Sequence, residues 1–391
     1  MSINLMRDRG ITLDKQRFTW KELNQMPISK LNDDAFTRLR IILMNAIEAE
    51  ANRFSHGFAR VNQSMQAHLA KVRRVEQHQQ TMANWLLGSD HSALETTIAY
   101  EQLAIELTAA VAIKEPNSYL AQVYRFGLLE DIDHLYRFSA LMDRIEGKDA
   151  NTIVQSYTDI IPGRPTYLEH RHPQDDIRDS YRCREAEAIS KFHALTIMSA
   201  ENQVHDYYMT IGPQFADPTA RELYAEIASV EEQHVTQYET LIDTEESIFE
   251  KWLLHEANEV YTYYSCVQSE KNSRVKAIWE RFLDYELGQL QYVMELFKQI
   301  EKRDPAEILP DKIPSPLEFK SHRKFIRSVL ESERDFTAIN SRIVNSYKEN
   351  HASKQYREYM NSEGSPSEIV AAGYRWMAGT ELAMPEEVIQ H

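Results

Sequence analysis

The sequence predicts an all-α protein, and three observations predict it. Apolar residues recur at helical spacing: around "SVEEQHVTQYETLID" (229–243) the stripe runs Tyr224, Ile227, Ala228, Val235, Tyr238 and Leu241. Glycine is scarce, 11 in 391 residues, and alternating runs of β-branched residues are rare, so strands have little support. Hairpin-sized blocks also repeat along the chain at one fixed offset.

In chain order, residues 1–32 read as an N-terminal extension. Helices follow near 33–62, 63–87, 91–114 and 118–146, forming a first helical repeat over 33–146. Residues 147–180 are rich in Pro, Asp and His, lack helical periodicity and read as a crossover linker. A second repeat over 181–304 holds helices near 181–211, 218–243, 246–270 and 274–302. The stretches "GSDHS", "EPNS" and "GPQFADPT" supply turns, with Asp90, Asn117 and Asp217 as candidate N-cap or turn residues. "DPAEILPDKIPSP" breaks the chain again, and residues 305–391 read as a C-terminal helical arm for packing or an interface. A chain of this length holds about two or three domains.

The repeat is explicit. Residues 114–150 align with 269–305 without a gap at an offset of 155, placing Asn117-Ser118 on Asn272-Ser273 and Ile145-Glu146 on Ile300-Glu301. The same offset superposes Glu101 on Glu256, Asp131 on Glu286 and His134 on Gln289. It also puts Glu76 on Glu231 and Gln79 on His234. Duplication of helical hairpins explains this pattern.

Composition narrows the function. With 27% charged and 42% hydrophobic residues, the chain has an ordinary soluble composition. A net charge of −16 argues against nucleic-acid and anionic-membrane partners. No stretch approaches the roughly 20 apolar residues needed to span a bilayer, and the N-terminus lacks a signal-peptide core. Only Cys183 and Cys266 occur, far apart, which leaves no disulfide framework or thiolate metal site and suits a reducing cytoplasm.

Acids stand where apolar residues belong. Glu231 sits mid-stripe with His134's counterpart in pattern, His234, one turn on, and a Glu and His three apart on an inward face can ligate one cation. Glu101 is centred on Leu94, Ile98, Ala104, Ile105 and Thr108, and Glu201 on Ala194, Ile197, Met198, Val204 and Tyr208. Asp131 is centred on Tyr124, Leu128, Leu135 and Phe138, with His134 three residues later. A buried unpaired carboxylate costs several kcal/mol in effect, so each must be protonated, paired or metal-bound. Glu101 to Asp131 and Glu201 to Glu231 both span 30 residues, so each hairpin presents two acids at one level. Glu256, Glu259 and Glu286 also face inward, Glu256 and Glu286 as secondary candidates, while Gln79 and Gln289 replace histidine and are poorer ligands for iron or manganese. Glu48 and Glu50 compete for the remaining single-acid position, and Glu130 is the alternative to Asp131, its Cα rotated by about 100°. A metal-free polar network is the competing reading of these buried groups. His56, His78 and His205 read as surface or supporting residues, and "EHRHPQDD" (169–176) as a salt-bridged tract.

Taken together, Glu … Glu-x-x-His … Glu … Glu-x-x-His on four helices resembles the ferritin-like di-iron carboxylate superfamily. "TIMSAENQVHDYY" followed by "SVEEQHVTQYETL" is similar to the first helix pair of rubrerythrins. The resemblance covers roughly residues 91–302. It implies a ferritin-like four-helix bundle whose metal ligands are Glu101, Asp131, His134, Glu201, Glu231 and His234, with Asp131 departing from the usual Glu. Bridging roles fall to Glu101 and to Glu201 or Glu231, terminal ones to His134 and His234, and a terminal or chelating one to Asp131.

Ferritin-like bundles have one long crossover. Residues 147–180 are long enough for it, whereas Glu231 and Glu256 are only 25 residues apart. Asp131/His134 should therefore face Glu231/His234, with Glu286 and Gln289 outside that cavity. The resemblance further implies two iron ions, or manganese, and an oxidoreductase or ferroxidase acting on peroxide, oxygen or iron. The rubredoxin-type cysteines of full-length rubrerythrins are missing, so an external electron donor is implied; a homo-oligomer is allowed. The alternative is a non-catalytic ferritin-like scaffold that binds metal or a partner protein, and an oxygenase with an organic substrate stands third.

Overall fold

The computed structural model describes residues 3–333, 337–339, 342–344 and 350–374, and it is all-α in architecture. Eight long helices dominate: α1 (Ala35–Val61), α2 (Gln66–Asn84), α3 (Ala93–Lys114), α4 (Ser118–Glu146), α5 (Ala188–Ile211), α6 (Pro218–Glu239), α7 (Ile248–Ser269) and α8 (Ser273–Glu301). A ninth, α9 (Arg323–Glu333), lies in the C-terminal arm, with short helices at His351–Met360 and Pro366–Ala371. The arm also holds a minimal antiparallel strand pair, Thr337–Ile339 with Arg342–Val344. Residues 375–391, assigned to the arm from sequence, lie outside the described residues.

Local chemistry sets the helix starts, and it repeats at the 155-residue offset. Ser92 and Ser247 each cap a helix in a reciprocal capping box with Glu95 and Glu250. The same two serines donate to Glu146 and Glu301, at 3.0 and 3.1 Å. Asn117 and Asn272 each accept from two backbone amides at the next helix start. Asp217 caps α6 as expected, and Asp90 lies in the turn before α3, whose cap is Ser92. The largest departure is at α5, which begins at Ala188 rather than 181. Residues 181–183 are tied instead to the chain after α6, through Tyr181 N–H to Leu241 O (2.9 Å) and Cys183 N–H to Asp243 Oδ2 (2.7 Å). Those tertiary bonds replace the helical ones.

Two compact units emerge, and they are not the two repeats. The first takes described residues of Met1–Ser89, Ser180–Ala200 and Leu241–Phe319; the second takes those of Asp90–Asp179, Glu201–Thr240 and Lys320–His391. In the first, hairpin α1–α2 shares a core with α7–α8, where Phe58 meets Trp252 at 5.7 Å and Tyr263 meets Phe282 at 5.6 Å between ring centres. In the second, α3, α4, α6 and the half of α5 from Glu201 share a core. There Phe138 packs on Tyr208 and Tyr224, and Tyr100 stacks on Tyr207. Each unit thus combines helices from both repeats, and α5 is divided between the two. No helix among the described residues is long and apolar enough to cross a membrane.

Residues 147–180, read as a linker, belong wholly to the second unit apart from Ser180 and have a counterpart in the N-terminal extension. Arg164 N–H bonds to Leu129 O in α4 at 2.8 Å; Ile11 N–H bonds to Asp284 O in α8, also at 2.8 Å. Leu129 and Asp284 are 155 residues apart. A glycine precedes each donor because a Cβ there would stand 2.2 Å from Leu129 O at Gly163 and 1.9 Å from Asp284 O at Gly10. The duplicated element is therefore larger than the hairpins: it includes an irregular segment laid along the last helix. From Lys320 onward the described part of the arm adds to the second unit, with His322 bonded to Glu106 at 3.0 Å and Ser367 N–H to Glu226 at 2.7 Å.

Candidate metal centre

Every primary residue singled out from sequence converges in the second unit. Glu101 comes from α3, Asp131 and His134 from α4, Glu201 from α5, and Glu231 and His234 from α6; all are buried. Glu231 lies at the centre. Its Oε1 is 3.0 Å from His134 Nδ1 and its Oε2 is 3.0 Å from His234 Nδ1. The two rings stand 5.8 Å apart, nearly parallel. One ligating atom each from Asp131, Glu201, Glu231 and His234 falls within a 4.8 Å group, and one each from Glu101, His134 and Glu231 forms another. The two groups share Glu231.

Residues outside the six complete the centre. His134 Nε2 faces Glu169 Oε2 at 3.0 Å, and His234 Nε2 faces Glu130 Oε2 at 2.7 Å. Glu130 is therefore behind His234, and Asp131 is the acid that turns inward. Arg171 and Arg164 bind the other oxygen of Glu130 at 2.6 and 3.3 Å. Tyr208 donates to Glu101 Oε1. Of the 169–176 tract, Arg171 also pairs with Asp176 (2.9 Å) and His170 faces Glu226 (3.3 Å), as a salt-bridged tract should. Glu169 and Arg171 nevertheless reach the centre, which sequence reasoning missed. The tract's composition was the only signal, and nothing in its spacing points to α4.

The electrostatics follow from burial and pairing. Burial lowers an imidazole's affinity for protons, but the carboxylates Glu231 and Glu169 outweigh it and hold His134 well above its ordinary range. His234 is raised likewise by Glu130, Glu201 and Glu231. Glu231 is held well below the usual carboxylate range because His134 and His234 overcome its burial. Glu130 is depressed by Arg171, His234 and Arg164 against the same penalty. Burial pushes Glu101 and Asp131 well up, Glu231's charge adding to the first and Glu201's to the second. Burial takes Glu201 to about 7, and burial with Glu130's charge takes Glu169 to about 7. Asp131 Oδ1 and Oδ2, Glu101 Oε2 and Glu201 Oε2 are buried without a hydrogen-bond partner. Unfilled acceptors of this kind cost free energy unless protons or a cation occupy them.

The secondary candidates lie elsewhere. Glu256 and Glu286 belong to the first unit, in a separate buried cluster with Glu48, Glu76, Gln79, Glu259 and Gln289. Glu48 holds the single-acid position there, receiving Tyr263 and Gln79, whereas Glu50 pairs with Arg53. His56 is exposed and His78 and His205 half-buried, none of them in either cluster. Both clusters can hold metal by geometry. Comparison with known protein families, with curated proteins and with solved structures finds no match.

Proposed function

We propose that the second unit is a ferritin-like di-metal centre for iron or manganese, acting as an oxidoreductase or ferroxidase on peroxide, oxygen or iron(II). One observation carries the reading: two ligand groups of metal-binding size share Glu231, and in them both oxygens of Asp131 and one each of Glu101 and Glu201 are buried without a hydrogen bond, His234 Nδ1 standing 3.5 Å from Asp131 and 3.7 Å from Glu201. The donor set fits, because hard carboxylate oxygens with imidazole suit iron and manganese. Bound there, such ions supply the redox equivalents for a small oxidant.

The chain's own residues supply the rest. Nδ1 of each imidazole faces Glu231, and Glu169 and Glu130 grip the opposite nitrogens, an arrangement that orients metal-ligating histidines and raises their basicity. Arg171 and Arg164 keep Glu130 ionised for that task. Tyr208 holds one Glu101 oxygen and leaves Oε2 for a ligand. All six candidate ligands are buried from solvent, at most 1% exposed.

A non-catalytic scaffold is the second reading. It is favoured by the carboxylate that already faces every nitrogen of His134 and His234. Metal analysis separates the two. Protein loaded anaerobically with iron(II) is expected to retain about two ions per chain and to oxidise them on exposure to oxygen or peroxide. His134→Ala and His234→Ala should each weaken retention, while His170→Ala should not. Zinc alone, or no retained metal, rejects the redox reading.

A further inference from the structure

The first unit repeats the acid layout of the second but replaces its imidazoles with amides. Glu48, Glu76, Glu256, Glu259 and Glu286 converge with Gln79 and Gln289, all at most 2% exposed. The available donors are few. Gln79 Nε2 serves Glu48 (3.1 Å) and Glu286 (2.5 Å), and Gln289 Nε2 serves Gln79 (3.2 Å) and Glu286 (3.1 Å). Tyr263 serves Glu48, and Trp252 serves Glu256 at 2.8 Å. Seven buried oxygens receive no N–H or O–H donor: both of Glu259, whose carboxyl lies against that of Glu286, Oε1 of Gln289, and Oε2 of Glu48, Glu76, Glu256 and Glu286.

No lysine, arginine or histidine pairs with these acids among the described residues. Arg73, whose charge reaches Glu76, donates to Ser55 instead. Oxygens of Glu76, Glu256 and Glu259 lie within 4.8 Å of one another. A buried site that gathers more acceptors than its donors can serve is completed by a cation or by protons. Its donors are oxygens only, carboxylate and amide, the set preferred by magnesium, calcium and manganese(II) over zinc or copper.

We propose that this cluster is a second metal site, for one hard divalent cation, held chiefly by Glu76, Glu256 and Glu259. It does not depend on the redox reading of the other unit, since no ligand is shared. Manganese(II) is the probe, followed in the full chain by the loss of its free-ion electron paramagnetic resonance signal. Glu256→Gln/Glu259→Gln keeps shape and removes charge. This variant should bind about one ion fewer per chain, or bind it about tenfold more weakly or worse, with magnesium competing for that ion in the unaltered chain. Unchanged stoichiometry and affinity in a variant that circular dichroism shows to be folded overturns the proposal, leaving a proton-filled network. If that variant does not fold, Gln79→His/Gln289→His decides. It should move the site's preference toward zinc by about tenfold or more, and an unmoved preference overturns the assignment just as firmly.

Discussion

Glu169 stands 3.0 Å from Nε2 of His134, although one residue lies in irregular chain and the other deep in a helix. The contact makes the 147–180 segment part of the candidate centre and gives a direct test. Glu169→Gln keeps the size and removes the charge that anchors His134. Metal affinity is expected to fall about tenfold to a hundredfold with the fold intact, measured by iron(II) or cobalt(II) titration. Undiminished affinity would show that Glu169 only packs.

Metal binding should also release protons. Both imidazoles are held well above their ordinary range by the carboxylates around them, so each carries a proton near neutrality in the metal-free chain. A metal at Nδ1 must displace it. Affinity is expected to rise with pH across the neutral range. Calorimetric heats should differ between two buffers of different ionisation enthalpy, and equal heats would contradict the charged-imidazole assignment.

Gly163 and Gly57 give opposite forecasts. A methyl at Gly163 would meet the Leu129 carbonyl at 2.2 Å and the Asp133 nitrogen at 2.8 Å, both backbone atoms that cannot rotate away. Gly163→Ala should cost about 1–3 kcal/mol and loosen the segment that carries Glu169. Gly57 sits within α1 with nothing within 4 Å of its missing methyl. Gly57→Ala should stabilise by roughly 0.5–1 kcal/mol. Urea unfolding of the two variants reads both signs.

Glu270 supplies a pH dependence unconnected with metal. Burial raises its pKa, but Arg40 at 2.8 Å, Thr37 at 2.7 Å and the Asn272 amide outweigh that and hold it below its ordinary 4.5. A depressed folded value means that the stabilisation is present above the unfolded value and lost as pH falls through the folded one. Glu270→Gln should cost about 3 kcal/mol near neutrality, because Arg40 is left buried and uncompensated. The gap to the unaltered chain should narrow as pH falls from 4.5 through the folded value, in denaturant titrations at stepped pH. A constant gap would place the cost in packing.

The sequence by itself determined that the chain is helical, where most of the long helices run and which acids they turn inward. Helical periodicity and capping are local properties: Ser92 with Glu95 forms the same box as Ser247 with Glu250 wherever the chain places them. Centring on an apolar stripe was enough to mark Glu101, Asp131, Glu201 and Glu231 as buried. Only tertiary structure decided the rest, because it concerns which faces meet. Glu130 and Asp131 are adjacent, and the positions of Arg171 and His234 decide that one anchors an imidazole while the other faces the ligand groups. Glu48 rather than Glu50 turns inward because Tyr263 and Gln79 wait for it on other helices. Glu169 and the segment around Gly10 carry no periodicity to read. They are placed by tertiary hydrogen bonds to helices distant in sequence, Arg164 to the Leu129 carbonyl and Thr166 to Asp133 in α4, Ile11 to the Asp284 carbonyl and Gln16 to the Tyr285 carbonyl in α8, and such pairings exist only once the chain has folded.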